Sequence, residues 1–381
     1  MPRPASNPVR DPLEPVLPAA PGVLAAAVEE WFQTEARDLP WRRHRTPWRS
    51  LVSELMLQQT QVARVEARFE GFMERFPSPA AMVDAGEDAV LALWEGLGYY
   101  RRARLLHAAA VRIVERHDGD VPTDARHLLD LPGVGRYTAG SVASIAFGRR
   151  EPIVDGNVVR VVARLAAIDA RADDPGLVDA AWRAAGRLVE AAADPGRLNE
   201  GLMELGATVC TPANPRCDGC PCREHCRAHA DGTAEDLPRP KVRPVRRVVH
   251  VDLLLLRSAG RLAFVQRPRG GLWGGLWQPP GIEADRPPTD ADRRALLAEF
   301  GIEPPDHALD VVAQVRRLLT HREVHLRAWS AGEDVDVETD VETGAEAGTS
   351  ATARLAWHDR SAATGLGMAK PVRTLVETHG W

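Results

Sequence analysis

The chain has 381 residues, 44% of them hydrophobic, and a formal net charge of −5. That length suits two domains of ordinary size, and no run of about eighteen uncharged apolar residues is present that could cross a membrane as a helix. The opening stretch "MPRPASNPVRDPLEPVLPAA" is Pro-rich and charged and lacks the apolar core of a secretory signal, which predicts a disordered tail over residues 1–22 and a cytoplasmic protein.

From about Val23 to Ala230 apolar residues recur at helical spacing, as in "WRSLVSELMLQQTQVARVEARFEGFMERF", with Pro and Gly between the segments. This predicts an all-α domain over residues 23–230. Residues 231–246, "DGTAEDLPRPKVRPVR", have the composition of a linker. After them the texture changes. "RVVHVDLLLLRSAGRLAFVQRP" predicts two strands around a Ser-Ala-Gly turn, "VRRLLTHREVHLRAW" a second strand pair, and Asp290–Phe300 a helix between them. Residues 247–381 are therefore expected to form an α+β domain. The run Gly332–Gly348 carries only acids and is expected to be an exposed hairpin loop.

The negative total hides a basic region. Between Leu97 and Arg150 nine arginines stand against five acids, and local charge is what a phosphate backbone feels.

Chemistry concentrates at three places. All five cysteines fall between Cys210 and Cys226. In a cytoplasmic chain such clustering favours a metal site over disulfides, and four thiolates can hold zinc or an iron–sulfur cluster. In "LPGVGRYTAGSVASIAFG", Gly133 and Gly135 permit a tight reversal between helices, and the N–H groups opening the next helix suit a phosphate oxygen. Asp155, eighteen residues after Tyr137, precedes Gly-Asn and reads as a turn or cap residue on its own. No lysine occurs before Lys241, so no lysine of the helical domain can form a Schiff base. Glu54 in "SELMLQQTQV" is placed on a helix whose other face carries Leu51, Leu55 and Val62. A wall of Leu51, Leu55 or Trp41 could raise its pKa.

These motifs resemble a known family. The spacing Cys210-x6-Cys217-x2-Cys220-x5-Cys226 is similar to the 4Fe–4S loop of endonuclease III-like DNA glycosylases, which leaves Cys222 as a spare thiol. "LPGVG" resembles the helix–hairpin–helix motif. "SELMLQQTQV", "GLGYYRRAR", "DLPW" and "LMELGA" closely resemble segments of adenine DNA glycosylases. The resemblance implies a helix–hairpin–helix glycosylase domain with one 4Fe–4S cluster on Cys210, Cys217, Cys220 and Cys226, followed by a Nudix-like domain. It implies a monomeric, monofunctional enzyme acting on double-stranded DNA that holds an 8-oxoguanine·adenine or guanine·adenine mispair. Glu54 would protonate N7 of adenine and later activate water. Asp155 would stabilise the oxocarbenium-like sugar, with Tyr137 and Asn157 positioning the catalytic groups. Gln59, Leu57 and Tyr99 would enter the duplex, and Gly133 and Gly135 would hold its backbone. Arg37, Leu39, Trp41 and Glu204 would line the adenine pocket. Tyr137 stands where endonuclease III-type enzymes carry a lysine nucleophile.

"RPRGGLWGGLWQPPG" resembles the family's C-terminal domain, and Arg294–Ile302 keeps the frame of a Nudix signature. Ala295 and Ala298 occupy two of its glutamate positions, leaving Glu299 a poor magnesium site. This predicts a domain that recognises 8-oxoguanine rather than hydrolysing nucleotides. Leu319-Thr320-His321 stands where the family has Phe-Ser-His. The readings weighed against this are a bifunctional or thymine-type glycosylase, a non-catalytic iron–sulfur DNA-binding protein, a structural zinc site at the cysteines, and a nucleotide pyrophosphatase.

Overall fold

Prolines and short polar caps start most helices of the first part of the chain. The computed structural model describes residues 17–242, 245–304, 309–332, 334–335 and 355–381. In order come α1 (Pro21–Glu35), α2 (Pro40–Arg43), α3 (Pro47–Leu57), α4 (Val62–Arg75), α5 (Pro79–Leu93), α6 (Arg101–Arg116), α7 (Ala125–Leu129), α8 (Arg136–Phe147), α9 (Gly156–Ala166), α10 (Pro175–Ala191), α11 (Pro195–Thr208) and α12 (Arg227–Ala230). Proline opens α1, α2, α3, α10 and α11, where its missing N–H costs nothing. The side chains of Thr46, Asp124, Asp155, Asp174 and Asp194 accept first-turn N–H groups of α3, α7, α9, α10 and α11, each cap contributing about 1 kcal/mol.

The chain divides into two units. One comprises the residues up to Ala80 with Ala108–Val242, and the other comprises Ala81–His107 with the residues after Val242. The expected helical domain over residues 23–230 is thus divided, because Ala81–His107 groups with the C-terminal residues. Within that unit Tyr100 Oη donates to the Met368 carbonyl at 2.9 Å, and Arg373 Nε pairs with Glu95.

In the first unit α11 packs against α1, α8 and α9. Leu198, Leu202 and Leu205 share one core with Val28, Val158, Val162, Leu177 and Leu188. Two boundaries differ from expectation. Leu17 is buried and α1 starts at Pro21, so the chain is ordered before residue 23; the rest of the expected tail, residues 1–16, lies outside the described residues. The expected linker 231–246 is packed over its first half. Leu237 is buried, and Arg239 exchanges backbone hydrogen bonds of 2.8 Å with Ala170 and Ala172. Val62 opens α4 rather than sharing the α3 face of Leu51 and Leu55.

The second unit holds β1 (Arg247–Leu255), β2 (Arg257–Ser258), β3 (Arg261–Gln266), β4 (Trp277–Gln278), β5 (Gly281–Ala284), α13 (Asp290–Glu299), β6 (Asp310–Leu318), β7 (Arg322–Ser330), β8 (Ala356–His358), α14 (Arg360–Ala363) and α15 (Lys370–His379). One sheet runs β5-β1-β7-β6, with β1 and β7 parallel, and the other β2-β3-β4 with β8 also on β3. The Ser-Ala-Gly turn is present, with φ of 48° at Ala259 and 71° at Gly260. It joins β2 to β3, however, while the longer β1 belongs to the other sheet. The fully buried Asp252 accepts from Arg293 at 2.9 Å and from Arg327 at 2.8 and 3.0 Å, and both guanidinium groups lie over the Trp329 ring. Of the acidic run only Gly332, Asp334 and Val335 are among the described residues, so the loop expectation falls mostly outside them.

One packing constraint fixes where α9 begins. A Cβ added to Gly206 on α11 would lie 2.5 Å from Cβ of Asn157, so alanine there forces the helices apart. Nothing lies within 4 Å of a Cβ at Gly135. Gly206→Ala is expected to lower unfolding free energy by about 1–3 kcal/mol, and Gly135→Ala by much less. Urea denaturation of the two variants checks both.

Candidate active site

Glu54 sits on α3 between Leu51 and Leu55, which are fully buried, and its own exposure is 8%. Ser141 Oγ donates to Glu54 Oε1 at 2.7 Å. Burial pushes the Glu54 carboxyl up to about 7; hydrogen bonds from Ser141 and Tyr137 work against this, and the charges of Glu200 and Asp155 add to it. Carboxyls ordinarily titrate near 4, so this one is held partly neutral at physiological pH by desolvation. Past Glu54 the helix ends, and Gln58 Nε2 donates to Thr138 Oγ1 at 3.2 Å. Leu57 is half-buried, and Gln59 is exposed at a φ of 54°.

The facing groups come from α8. The hairpin before it closes with Val134 N–H donating to the Leu131 carbonyl at 3.1 Å and with Gly133 at a φ of 81°. Gly133 is the glycine that the turn requires. Gly135, expected to need the same freedom, is extended at a φ of −99°. No side chain caps α8, so its first-turn N–H groups have no side-chain acceptor. Tyr137 and Ser141 are four residues apart and share one helix face. Burial, with the charges of Glu54 and Asp155, raises the Tyr137 phenol well above its usual value. It therefore stays a donor, with Met203 Sδ at 3.0 Å and the Glu54 carboxyl in reach.

Asp155 caps α9. Its Oδ1 accepts from the Asn157 and Val158 N–H groups at 2.9 and 2.8 Å, and its Oδ2 from Asn157 Nδ2 at 2.8 Å. Asp155 is thus the cap its pattern suggests, and its charge, like that of Glu54, acts on the Tyr137 phenol. Burial raises the Asp155 pKa despite those three hydrogen bonds.

The four residues expected around a base fall into two arrangements. Glu204, 1% exposed, accepts from Arg37 Nε at 2.5 Å and Nη2 at 3.0 Å, and from Arg42 Nη2 at 3.1 Å. Burial alone would raise its pKa, but these guanidinium groups outweigh it and lower the pKa. Arg42 and Arg45 also reach Glu200, one turn earlier on α11. Leu39 is buried, and Trp41 packs edge-on to Phe69 with centroids 5.7 Å apart.

Cys210, Cys217, Cys220 and Cys226 line one small cavity together with Arg164 and His229. Cys222 is 1% exposed and belongs to the hydrophobic core. Among the described residues no three His, Cys, Asp or Glu side chains form a metal-ion site. The cavity sits at the far end of α9. Arg164 Nη1 lies 3.3 Å from Cys210 Sγ and donates to the Thr211 carbonyl at 2.7 Å. Arg160 donates to the Cys210 carbonyl and to Asn157 Oδ1, both at 2.7 Å. In the loop, Arg216 donates to the Thr208 carbonyl and Arg223 pairs with Asp218 at 3.3 Å.

In the second unit Tyr99 is exposed at a φ of 48°, and its hydroxyl is hydrogen-bonded to Thr320 Oγ1. His321 is exposed and accepts the Arg247 N–H at its carbonyl at 3.2 Å. On α13, Arg294 pairs with Asp290, and Ala295, Ala298 and Glu299 face solvent.

Sequence reasoning did not single out Ser141, Glu200, Arg42 or Arg160. Their only signal was spacing: Ser141 lies one turn beyond Tyr137, Glu200 one turn before Glu204, and Arg160 three residues beyond Asn157.

Residues 52–185 match the family described as HhH-GPD superfamily base excision DNA repair protein, and residues 252–378 match the NUDIX domain. An adenine DNA glycosylase of Rattus norvegicus is 33% identical over 91% of this chain and 77% of its own length. One from Mycolicibacterium smegmatis is 46% identical over 53% of this chain and 68% of its own length. One from Homo sapiens is 38% identical over 71% of this chain, which spans 59% of that protein. With a relative alike over 91% of this chain, a helix–hairpin–helix family match in the helical part and a Nudix match in the C-terminal part, the chain belongs to the adenine DNA glycosylase family.

Proposed function

We propose that this protein hydrolyses the N-glycosidic bond of adenine mispaired with 8-oxoguanine or guanine in duplex DNA, as a monofunctional glycosylase. The observation that carries this reading is the Glu54 carboxyl, buried and lifted to about 7 beside a capped Asp155. Adenine is a poor leaving group as an anion, so an acid must protonate it. A stacked base is out of reach, so the nucleotide must first be turned out of the duplex. Glu54 gives its proton to N7 as the glycosidic bond breaks, and the bond's electron pair leaves with the base. The sugar becomes an oxocarbenium-like cation, which Asp155 in its charged form stabilises. Glu54, now a carboxylate, takes a proton from water as the oxygen adds to the sugar carbon, and is thereby restored. Tyr137 supplies no amine, so the reaction ends at base release. Asn157 and Tyr137 fix the two carboxyls, and Arg37, Leu39, Trp41 and Glu204 shape the wall around the base. Gln59 and Leu57 enter the duplex where the nucleotide leaves it, Tyr99 of the other unit also enters it, and Gly133, Gly135 and the α8 N–H groups hold a phosphate.

Cys210, Cys217, Cys220 and Cys226 would hold a 4Fe–4S cluster. Four thiols lining one cavity, which Cys222 does not line, fit that donor set. The cluster would brace the loop. Thr320 and His321 of the Nudix-like unit would read 8-oxoguanine, with Tyr99 held beside them through Thr320.

Glu54→Gln should lower single-turnover adenine release by about 10²–10⁴-fold while duplex binding persists; wild-type release from that variant would refute the assignment. In the wild type, release should fall as pH rises through about 7, because the proton donor is lost. The same burial implies a stability effect. The native state binds the Glu54 proton more tightly than the unfolded chain, so stability is lost as pH rises from the ordinary carboxyl value through about 7. Glu54→Gln should therefore be more stable than wild type at pH 8, by up to about 3 kcal/mol, and the difference should vanish near pH 4. Chemical denaturation at the two pH values checks this. Thr320→Val should narrow the preference for adenine opposite 8-oxoguanine over adenine opposite guanine. Base release from the two duplexes measures the ratio.

A further inference from the structure

A buried serine inside a helix usually returns its proton to a carbonyl one turn back on the same helix. Ser141 does not. It is 1% exposed in the middle of α8, and its hydroxyl donates across to α3, to Glu54 Oε1 at 2.7 Å. We infer that Ser141 is a positioning residue for the proton donor: its single hydroxyl proton occupies one Glu54 oxygen and so assigns the transferable proton to the other. This rests on the reading of Glu54 as the acid.

An oxygen that accepts a hydroxyl proton is the carbonyl-like oxygen of a neutral carboxyl, so the acidic proton resides on Oε2. Once Glu54 has given that proton away, the Ser141 hydrogen bond becomes charge-assisted and strengthens. Ser141 therefore favours the state that follows proton transfer over the state that precedes it. It makes Glu54 a stronger acid at the cost of a smaller protonated fraction near neutrality. The other groups facing Glu54 are Tyr137 from α8, which acts in the same sense, and Glu200 from α11 and Asp155 at the start of α9, whose charges act in the opposite sense. Ser144, three residues further along α8, is equally buried, but its hydroxyl donates to the Ser141 carbonyl at 3.4 Å rather than to a carboxyl. Asn199 Nδ2 donates to its hydroxyl oxygen at 2.8 Å. It is the natural control for a lost hydroxyl in this helix.

Ser141→Ala removes the hydroxyl with the best helix former in its place, so the helix is retained. Two measurements on the full-length protein test the inference. The first is the titration of Glu54 in the free protein, followed by its carboxyl infrared band, with Glu54→Gln identifying the band. In Ser141→Ala the midpoint should rise by about one pH unit, and in Ser144→Ala it should not move. The second is single-turnover adenine release against pH. An acid about one unit weaker transfers its proton up to about tenfold more slowly, but stays protonated to higher pH. The Ser141→Ala profile should therefore lie below wild type at pH 6 and converge with it above pH 8, whereas a structural lesion would lower the whole profile by a constant factor. An unmoved Glu54 midpoint in Ser141→Ala, or an equal shift in Ser144→Ala, overturns the inference. A shifted midpoint with an unshifted rate profile leaves Ser141 as the residue that sets Glu54 and overturns the role of Glu54 as the acid.

Discussion

The arrangement depends on a carboxyl taken out of water without a cation to meet it. Two of the buried glutamates of the first unit, Glu204 and Glu54, are treated oppositely. Glu204 is wrapped by Arg37 and Arg42, and their charges outweigh burial, so it stays ionised. Glu54 is met by two hydroxyls and by the negative fields of Glu200 and Asp155, and burial wins. Desolvation always disfavours the charged form, and only the neighbours decide whether that preference is reversed. Removing the cations from around one glutamate and stacking them on the other separates a proton-holding group from a structural anchor within one helical unit.

Holding that uncompensated group in place requires rigid elements on every side. Asp155 caps α9, which carries Arg160 and Arg164 along its length, and these two arginines grip the cysteine loop through the Cys210 and Thr211 carbonyls. α11 supplies Glu200 and Glu204 and then, at Gly206, lets α9 approach until Asn157 nearly touches its backbone. α8 brings the hairpin at one end and the two hydroxyls on one face. The three helices pack through α11. The position of Asp155 relative to Glu54 is consequently set by helix packing rather than by loops, as a site that must align two carboxyls requires.

Much of this was legible in the residues because it rests on local rules. Thr46-Pro47, Asp174-Pro175 and Asp194-Pro195 announce helix starts, and the Ser-Ala-Gly turn announces a hairpin. Glu54, Asp155 and the four loop cysteines stand out by motif and spacing. What could not be read was long-range. Nothing local ties Tyr100 to Met368, so the separation of Ala81–His107 from the rest of the helices was invisible. Arg239 pairs with Ala170 from far along the chain, which turned half of an apparent linker into packed chain. Two glycines in one "PGVG" looked equivalent, yet only Gly133 takes a positive φ. Ser141 looked like one more small residue in "TAGSVAS", and only the approach of α3 gives its hydroxyl a partner.

The electrostatics of the pair also bear on what the site can stabilise. A negative charge on Asp155 is held by two backbone N–H groups and the Asn157 amide. Moving the Glu54 proton onto a base would leave two buried carboxylates acting on each other and on Glu200, an arrangement that burial opposes for both. That penalty is relieved only if a positive charge develops between them at the same moment. A sugar cation generated by departure of a protonated purine is such a charge, and it exists only near the transition state. On the reading proposed above, the site is complementary to an electrostatic pattern that neither the bound nucleotide nor the released base possesses, which is the condition under which binding energy accelerates a reaction rather than merely tightening association.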